Sequence, residues 1–490
     1  METTSKSVID DGKGSYRDSV ATISKEGTRN FINPKKPKGK FYSLRTNFSI
    51  FYLIVFFTLP FIKVNGDPLL MFNILERKFI IFGLIFWPQD FFIFGIAMLT
   101  FIVFIILFTV IFGRVFCGWA CPQTIFMEMV FRKIEYWIDG DSSKQKQLKA
   151  MPWNGEKIKK RALKFVAFFS ISFIIANFFL AYLISMDELI GYIENPAAHV
   201  ATLISLLVFT SIFFFVYWWF REQVCIVVCP YGRLQGVLLD KNSIMVAYDY
   251  NRGEPRGKLE KAPVFNVSEV LNNAAAQFTP IAAIHGDCID CHACVRVCPT
   301  GIDIRNGTQL ECVNCTACID ACDDIMVSVK KPKGLIRYAS ENSIKDKVQL
   351  AFTPRIKAYS IVLIVLLALL TFLIVSRTDL DARVMRISGM TYSSLPDGRI
   401  ANLYTLKMAN KTHKDIPFTL KCEDVNGEIQ IVGNSSLVAK KKDYAQLQFF
   451  IKLNRADITS WKKTIHVGLY EKGVKLKTLE ANFIGPEVYE

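Results

Sequence analysis

The sequence predicts a multi-domain membrane protein, in which an α-helical bundle of five transmembrane spans carries an inserted α+β domain and a C-terminal all-β sandwich. Three observations lead to this fold class. Hydrophobic residues make up 51% of the 490, and the mean hydropathy of +0.27 is too high for one ordinary soluble domain. Eight of the 13 cysteines fall in one dense run. After residue 377 the chain changes to short β-rich segments separated by turn residues.

The apolar segments divide the chain into regions. About 20 apolar residues are needed to cross a bilayer, and the approximate spans are residues 48–64, 91–113, 162–185, 197–220 and 359–375. The expected regions are a basic, disordered tail (1–45), a transmembrane region with four spans (46–245), a cysteine-rich region (246–350), the fifth span (351–377) and a C-terminal domain (378–490). The run FIIFGLIFW at 79–87 is too short to span, so we expect an interfacial or re-entrant piece there.

Basic residues near the span ends indicate how the chain is oriented. The tail and the loop between the second and third spans are rich in Lys and Arg, whereas the loop MDELIGYIENP between the third and fourth spans has none. By the positive-inside rule, the N-terminus and the cysteine-rich region are cytoplasmic and the C-terminal domain lies outside. The same basic loops account for the formal net charge of +15, so nucleic acid is not an expected partner.

The dense cysteine run repeats a metal-ligand pattern. Residues 288–322 read CIDCHACVRVCPTGIDIRNGTQLECVNCTACIDAC, in which C-x-x-C-x-x-C-x-x-x-C occurs twice. In bacterial two-cluster ferredoxins the fourth cysteine of each such run ligates the other cluster. We therefore expect a ferredoxin-like domain with two [4Fe-4S] clusters, the first held by Cys288, Cys291, Cys294 and Cys322 and the second by Cys312, Cys315, Cys318 and Cys298. A pair of structural zinc sites is the alternative.

Two further cysteine pairs each follow an apolar span. RVFCGWACPQT contains Cys117 and Cys121, and EQVCIVVCPYGR contains Cys225 and Cys229, so both share C-x-x-x-C-P. Residues four apart lie on one helix face and can present two sulfurs to one ion, while the proline after each pair predicts a helix break. Soft sulfur ligands favour Cu(I), and nearby arginines such as Arg114 favour thiolates. These four cysteines are the predicted catalytic and copper-binding residues, with buried structural cysteines or redox disulfides as alternatives.

The last hundred or so residues predict an immunoglobulin-like sandwich. Segments such as IANLYTLKMANKT, GEIQIVG and YAQLQFFIKLN are short, β-rich and separated by Asn, Gly and Asp. We expect this domain to dock a partner or to stabilise an assembly.

FCGWACPQT, VCIVVCPYGR, the doubled ferredoxin motif and the sandwich domain together resemble the CcoG/FixG/RdxA family of cytochrome c oxidase accessory proteins. The resemblance covers nearly the whole chain past the tail. It implies a multi-pass protein of the bacterial cytoplasmic (inner) membrane, with a periplasmic C-terminal domain. It also implies a role in assembling cbb(3)-type haem-copper oxidases, in which Cu(II) is reduced to Cu(I) for delivery. The implied partners are oxidase-assembly or copper-transfer proteins, an electron donor that is not named, and a second copy in a homodimer.

The expected function is therefore that of an oxidoreductase, a membrane-bound cupric reductase. Two alternatives stay open. The paired motifs also resemble those of NapH-type quinol dehydrogenase subunits, which favours electron exchange with quinol. The third is a non-enzymatic copper-holding scaffold whose clusters sense redox state.

Overall fold

The computed structural model describes residues 21–486, apart from residues 24–25, 27, 75–77, 87–90, 259–285, 348–352, 377–379, 388, 390, 413, 434–436, 442–443 and 459. Within these residues, five helices are long and apolar enough to cross a membrane, namely Lys40–Phe61, Phe91–Phe112, Gly155–Ile184, Val200–Phe220 and Pro354–Val375. The chain is thus a multi-pass membrane protein, as its hydropathy predicts. It divides into two compact units, Met1–Pro60 with Met98–Leu367 and Phe61–Ala97 with Ala368–Glu490.

The secondary structure is mostly helical in the first unit and mostly strand in the second. The helices are α1 (Lys40–Thr58), α2 (Phe91–Phe112), α3 (Val115–Trp119), α4 (Pro122–Thr124), α5 (Arg132–Ile138), α6 (Ser142–Ala150), α7 (Gly155–Ile184), α8 (Met186–Glu194), α9 (Val200–Phe215), α10 (Pro230–Leu238), α11 (Tyr250–Gly253), α12 (Ala293–Arg296), α13 (Ala317–Ser328), α14 (Glu341–Lys345) and α15 (Pro354–Val375). Wider π-helical turns cover Ile125–Phe131, Val216–Phe220 and Val224–Val228. The strands are β1 (Lys63–Val64), β2 (Asp67–Pro68), β3 (Leu70–Asn73), β4 (Lys78–Ile81), β5 (Leu84–Phe86), β6 (Met245–Tyr248), β7 (Ile336–Ala339), β8 (Leu380–Arg386), β9 (Ser393–Ser394), β10 (Ile400–Asn410), β11 (Ile416–Pro417), β12 (Thr419–Cys422), β13 (Glu428–Ile431), β14 (Val438–Ala439), β15 (Tyr444–Leu453), β16 (Lys462–Glu471) and β17 (Val474–Ile484).

The first span begins earlier than its hydropathy predicts, because its N-terminus is capped by the ferredoxin-like domain. The carboxylate of Asp320 in α13 accepts hydrogen bonds from the backbone amides of Phe41 at 3.1 Å and Tyr42 at 2.7 Å. Just before the helix, the amide of Lys35 donates to the carbonyl of Arg296 at 2.8 Å. The expected disorder therefore does not hold for residues 28–39. Residues 1–20 of the tail lie outside the described residues.

The segment expected to be interfacial or re-entrant forms β-structure, and its position relative to the membrane stays a prediction. Strands β3, β4 and β5 make a three-stranded antiparallel sheet. Phe82 and Gly83 form the tight turn between β4 and β5 with φ angles of 49° and 78°. Two successive residues with positive φ are typical of the two-residue turn that joins antiparallel strands, which the apolar composition alone does not reveal.

In the transmembrane region, an aromatic core joins the chain after the first cysteine pair to the third and fourth spans. Phe131, Phe168 and Tyr217 are buried, and the rings of Phe131 and Tyr217 stack with centroids 4.4 Å apart. Such aromatic contacts add to the free energy of burial. This packing holds the segments that carry the two cysteine pairs near one another.

The ferredoxin-like domain is a small α+β fold built around its cysteines. Strands β6 and β7 pair antiparallel, with Met245 opposite Ala339. Buried Ile319, Met326 and Leu335 form the core together with several of the cysteines. Its position in the chain, between the fourth and fifth spans, is the predicted one.

The C-terminal domain is the predicted immunoglobulin-like sandwich. One sheet has the strand order β13-β15-β10-β8, with β9 added to β10, and the other has the order β12-β16-β17. Tyr404, Phe449, Val467 and Phe483 are fully buried in its core. The last long strand, β17, is not among the segments that the sequence singled out.

Candidate redox site at the cysteine motifs

The eight cysteines of the repeated motif line two cavities. The first cavity has about 340 Å³ of empty space, open solvent included, and its lining includes Cys288, Cys291, Cys294 and Cys322. The second has about 350 Å³, measured in the same way, and its lining includes Cys298, Cys312, Cys315, Cys318 and also Cys294. Each cavity thus receives three cysteines of one run and the fourth of the other. Four soft thiol groups around a largely apolar cavity fit a [4Fe-4S] cluster, while ligation by these particular residues stays a prediction.

The two halves of the ferredoxin-like domain share an unusual backbone conformation. His292 and Thr316 occupy equivalent places in the two runs, and both adopt left-handed conformations, with φ angles of 54° and 64°. Asp290 and Asn314, also equivalent, have φ angles of 49° and 53°. Positive φ is costly for a β-branched residue such as Thr316. These left-handed residues curl each loop around its cavity. The packing around the loops must hold them in this strained conformation.

Burial favours the protonated form of the cluster cysteines. It raises the pKa of Cys312 and of Cys322 to about 12 and that of Cys315 to about 11. Metal binding by such cysteines therefore releases protons, because the ligand is the thiolate.

A helix break follows each of the other two cysteine pairs. Cys117 lies within α3, whereas Cys121 is extended at ψ 126° and precedes Pro122 at the start of α4. Cys225 lies within a π-helical turn, and Cys229, at ψ 112°, precedes α10. The predicted breaks are present after both pairs, because the residue before a proline avoids the helical conformation. That each pair presents its two sulfurs to one ion stays a prediction.

The two pairs, more than a hundred residues apart in sequence, meet in the structure. The thiol of Cys117 donates to Gln235 Oε1 in α10 at 3.3 Å. Burial and the negative charge of Cys121 and Cys229 raise the pKa of Cys117 to about 11. Burial and the charge of the other three cysteines raise the pKa of Cys225 to about 12. Cys225 therefore lies within electrostatic reach of the other three thiol groups.

Arg114, which was expected to favour thiolates, does act to lower the pKa of Cys117, but burial outweighs its effect. Arg114 donates to the carbonyl of Gly232 at 2.6 Å and also to the carbonyl of Leu310. Arg221 forms a buried ion pair with Glu135 at 2.6 Å. These arginines hold neighbouring segments of the chain together. The pKa values of Cys117 and Cys225 are raised overall, so their surroundings favour the protonated thiol.

A buried charge network braces the second cysteine pair. Lys164 of the third span contacts Glu135 at 2.5 Å and Asp139 at 2.8 Å, and Glu135 in turn holds Arg221 at the end of the fourth span. Arg221 has the strained backbone angles φ 50° and ψ −124°. Its ion pair stabilises this sharp bend, which directs the following residues toward Cys225.

The first cysteine pair is in direct contact with the loop that lines the second cavity. Gly118 lies so close that an added Cβ would be 2.5 Å from the carbonyl oxygen of Asn314 and 2.6 Å from that of Val313. Trp119 Nε1 donates to the hydroxyl of Tyr338 at 3.0 Å, and that hydroxyl lies 3.5 Å from the carbonyl of Asn314. Sequence reasoning missed these residues, because a glycine, a tryptophan and a distant tyrosine carry no pattern that marks them.

The thiols are not arranged as in a mononuclear metal site. All 13 cysteines lie in the described part of the chain, and all are free. Among the described residues, no three His, Cys, Asp or Glu side chains are placed to hold one metal ion in common. A cubane takes one thiolate on each of four irons and so needs wider spacing than tetrahedral zinc.

Comparisons with known proteins agree with these features. A family described as "4Fe-4S dicluster domain" matches residues 220–341, and "4Fe-4S binding domain" matches residues 94–144. "IG-like fold at C-terminal of FixG" matches residues 370–486. Protein RdxA of Cereibacter sphaeroides is 32% identical over 81% of this chain and 83% of its own length. The chain belongs to the FixG/RdxA family.

Two other relatives support this FixG/RdxA assignment. Protein RdxB of Cereibacter sphaeroides is 33% identical over 80% of this chain and 81% of its own length. Nitrogen fixation protein FixG of Rhizobium meliloti is 31% identical over 81% of this chain and 79% of its own length. The crystal structure of a FixG-related protein from Vibrio parahaemolyticus matches 22% of this chain and 97% of that chain, with 21% identity and a TM-score of 0.19.

Family membership and the two 4Fe-4S matches make this FixG/RdxA protein an iron–sulfur electron-transfer protein. They favour iron–sulfur clusters over the zinc alternative. When bound, such clusters transfer one electron at a time. The residues of this chain provide the thiols, the apolar surroundings and the contact with the membrane cysteines.

Proposed function

We propose that this protein is a cupric reductase that converts Cu(II) to Cu(I) during assembly of a cbb(3)-type cytochrome c oxidase. One observation carries the proposal: four cysteines converge at the ends of two spans, and Gly118 between two of them contacts the loop of the second cluster cavity. Electron-transfer cofactors and soft metal ligands are thereby held side by side.

The chemistry of the four thiols suits copper as the substrate. Cu(II) takes up one electron from the reduced protein and becomes Cu(I), which thiolates bind preferentially. Because Cys117 and Cys225 are protonated at neutral pH, binding displaces their protons to water.

The proposed setting is the bacterial inner membrane, with the ferredoxin-like domain in the cytoplasm and the immunoglobulin-like domain in the periplasm. The basic residues near the span ends support this orientation. The partners would be oxidase-assembly or copper-transfer proteins that accept Cu(I).

The test follows reduction and copper chemistry together under anaerobic conditions. The purified protein is reduced, its clusters are observed by EPR, and Cu(II) is added with a Cu(I)-specific chelator. We expect Cu(I) to appear in step with cluster reoxidation. The Cys117→Ser/Cys225→Ser variant should keep its clusters and should produce Cu(I) at least tenfold more slowly than the wild type. Cys422→Ser, in the immunoglobulin-like domain, is the matched control and should react as the wild type does.

Unchanged copper reduction in the Cys117→Ser/Cys225→Ser variant would falsify the proposed site. Iron analysis adds an independent check, because two [4Fe-4S] clusters contain eight irons per chain. Twelve irons, falling to eight in the variant, would instead place a third cluster at the four membrane cysteines. Cluster reduction by quinol in proteoliposomes, with Cu(II) left untouched, would favour the quinol alternative.

A further inference from the structure

A charged cavity lies beside the second cysteine pair, apart from the two cysteine-lined cavities. It encloses about 740 Å³ of empty space, including its open mouth. Its floor is the ion-pair network of Glu135, Asp139, Lys164 and Arg221. The proposed function does not use this cavity.

The position of the cavity is that of a membrane–water interface. Trp218 and Trp219, which line one wall, belong to the last turn of the fourth span, Val200–Phe220. Arg161 and Lys164 come from the first turns of α7, which continues as the third span. Trp and basic residues at the ends of spans are typical of the headgroup level of a bilayer. The cavity therefore opens where lipid headgroups are found, on the membrane side that carries the ferredoxin-like domain.

The lining has a net positive charge, which the ion pairs among the described residues do not neutralise. Four cations (Lys149, Arg161, Lys164 and Arg221) and two carboxylates (Glu135 and Asp139) line the cavity, for a net charge of +2. The ion pairs at the floor engage both carboxylates with Lys164 and Arg221. Lys149 and Arg161 are thus left to attract an anion.

Buried polar atoms at the floor lack partners. Arg221 is 4% exposed and its Nε has no hydrogen-bond partner among the described residues. Asp139 is 5% exposed, and its carboxylate oxygen Oδ1 also has no hydrogen-bond partner among the described residues. A buried donor and a buried acceptor without partners cost free energy unless a ligand or water satisfies them. A ligand or ordered water that offers an acceptor to Arg221 and a donor to Asp139 would satisfy these two atoms.

We propose that this cavity binds the headgroup of an anionic phospholipid of the phosphatidylglycerol type. Its phosphate oxygens can accept hydrogen bonds from Arg221 and pair with Lys149 and Arg161, and its hydroxyl groups can donate to Asp139. Basic pockets between transmembrane helices are known to hold such headgroups. The acyl chains would lie along the third and fourth spans. A phosphate ion shares the headgroup's charge and hydrogen-bonding groups but has no acyl chains, so the experiment must separate these two sources.

The test uses the full-length protein with its clusters, stripped of native lipid in neutral detergent. Native mass spectrometry measures retention of phosphatidylglycerol against phosphatidylcholine. We expect the wild type to retain phosphatidylglycerol and Lys149→Ala/Arg161→Ala to bind it roughly 30-fold more weakly, from the loss of two basic groups near an anionic headgroup. The control is Lys146→Ala/Lys159→Ala, which removes the same charge from exposed positions of the same two helices outside the cavity. It should bind within about threefold of the wild type by the same reasoning.

Equal weakening in both double variants would overturn the proposal, because it would show only a diffuse effect of net charge. Displacement of the lipid by inorganic phosphate at millimolar concentration would also overturn it, because the site would then take a soluble phosphate. Iron content of each variant reports correct folding, since the substituted side chains are on the surface. Copper reduction and lipid binding are measured in separate experiments. A negative result for lipid binding therefore does not bear on the proposed function, and a negative result for copper reduction does not bear on the lipid site.

Discussion

Gly118 shows how one residue decides whether two redox motifs can touch. Any side chain there would begin 2.5 Å from the carbonyl oxygen of Asn314, which is closer than a Cβ can approach. The neighbouring Arg114 donates to carbonyls on both sides of this contact, those of Cys312 at 3.5 Å and Gly232 at 2.6 Å. Because Gly118 has no side chain, the first motif can lie against the cluster loop. The guanidinium group of Arg114 then bonds to carbonyls of the cluster loop and of the second motif, so that all three segments are joined.

Gly118→Ala is expected to push α3 away from the loop at Asn314. Overpacking of this kind costs about 1–3 kcal/mol, and the wider gap should also slow electron transfer from the clusters to copper. Thermal unfolding and the rate of cluster reoxidation by Cu(II) measure the two effects. Gly191→Ala in α8, where an added Cβ meets nothing within 4 Å, is the control and should change neither. A wild-type rate in Gly118→Ala would mean that electrons take another route.

Among the elements, α5, α7 and the end of the fourth span are held together by charge inside an apolar bundle. Burial alone would raise the pKa of Glu135, but Arg221 and Lys164 outweigh it and hold this pKa well below its usual range. The carboxylate is thus ionised in the folded protein, where it holds both cations. Loss of one member leaves buried charges uncompensated, which is far more costly than loss of an exposed pair.

Glu135→Gln is expected to destabilise the protein by about 3–5 kcal/mol, because Arg221 and Lys164 lose their shared anion. The pKa of Glu135 is lowered by folding, so its contribution is full above the ordinary glutamate pKa of about 4.3 and is lost as the pH falls below it. Thermal unfolding between neutral and acidic pH tests this: the stability difference between wild type and variant should shrink below that pH. Glu156→Gln, which removes an exposed pair with Lys160, should have little effect at any pH. A constant difference down to strongly acidic pH would contradict the assignment.

The contact between α1 and α13 fixes where the first span begins. Asp320→Ala removes the acceptor for the amides of Phe41 and Tyr42, and loss of a helix cap of this kind costs about 1 kcal/mol. We expect faster hydrogen exchange in the first turn of α1 and faster proteolysis of the chain before it. Asp324→Ala, four residues on and exposed, is the matched control. Identical exchange in the two variants would show that α1 does not depend on this cap.

For the molecule as a whole, the number of spans determines which compartments its ends can reach. The described part of the chain has five candidate spans, an odd number, so we expect the N-terminal tail and the immunoglobulin-like domain to lie on opposite sides of the membrane. Family membership establishes an iron–sulfur electron-transfer protein, and the orientation decides from which side electrons reach it.

The predicted orientation can be measured with reporter fusions to the full-length chain. Alkaline phosphatase fused after the C-terminal domain should be active, because it folds only in the periplasm, and a fluorescent protein at the N-terminus should fluoresce in the cytoplasm. The reverse pattern would refute the orientation inferred from the basic loops. Alkaline phosphatase fused in the loop at 186–195, between the third and fourth spans, should be active as well.

The chain's local patterns predicted the spans, the cysteine repeat and the strands of the sandwich, because each depends on neighbours in sequence. In most proteins a run of about twenty apolar residues forms a membrane span, and alternating apolar and polar side chains form a strand. A two-residue gap between cysteines likewise indicates a metal or cluster site. Two features were not foreseen from local pattern: α1 begins early, where Asp320 caps it, and the short apolar run forms the strands β4 and β5. Only the tertiary structure could decide that Cys117 lies against Gln235, that Gly118 lies against Asn314 and that Arg221 closes a charged cavity. These contacts join residues about 90 to 200 positions apart, so they arise from the packing of whole elements, which no local spacing encodes.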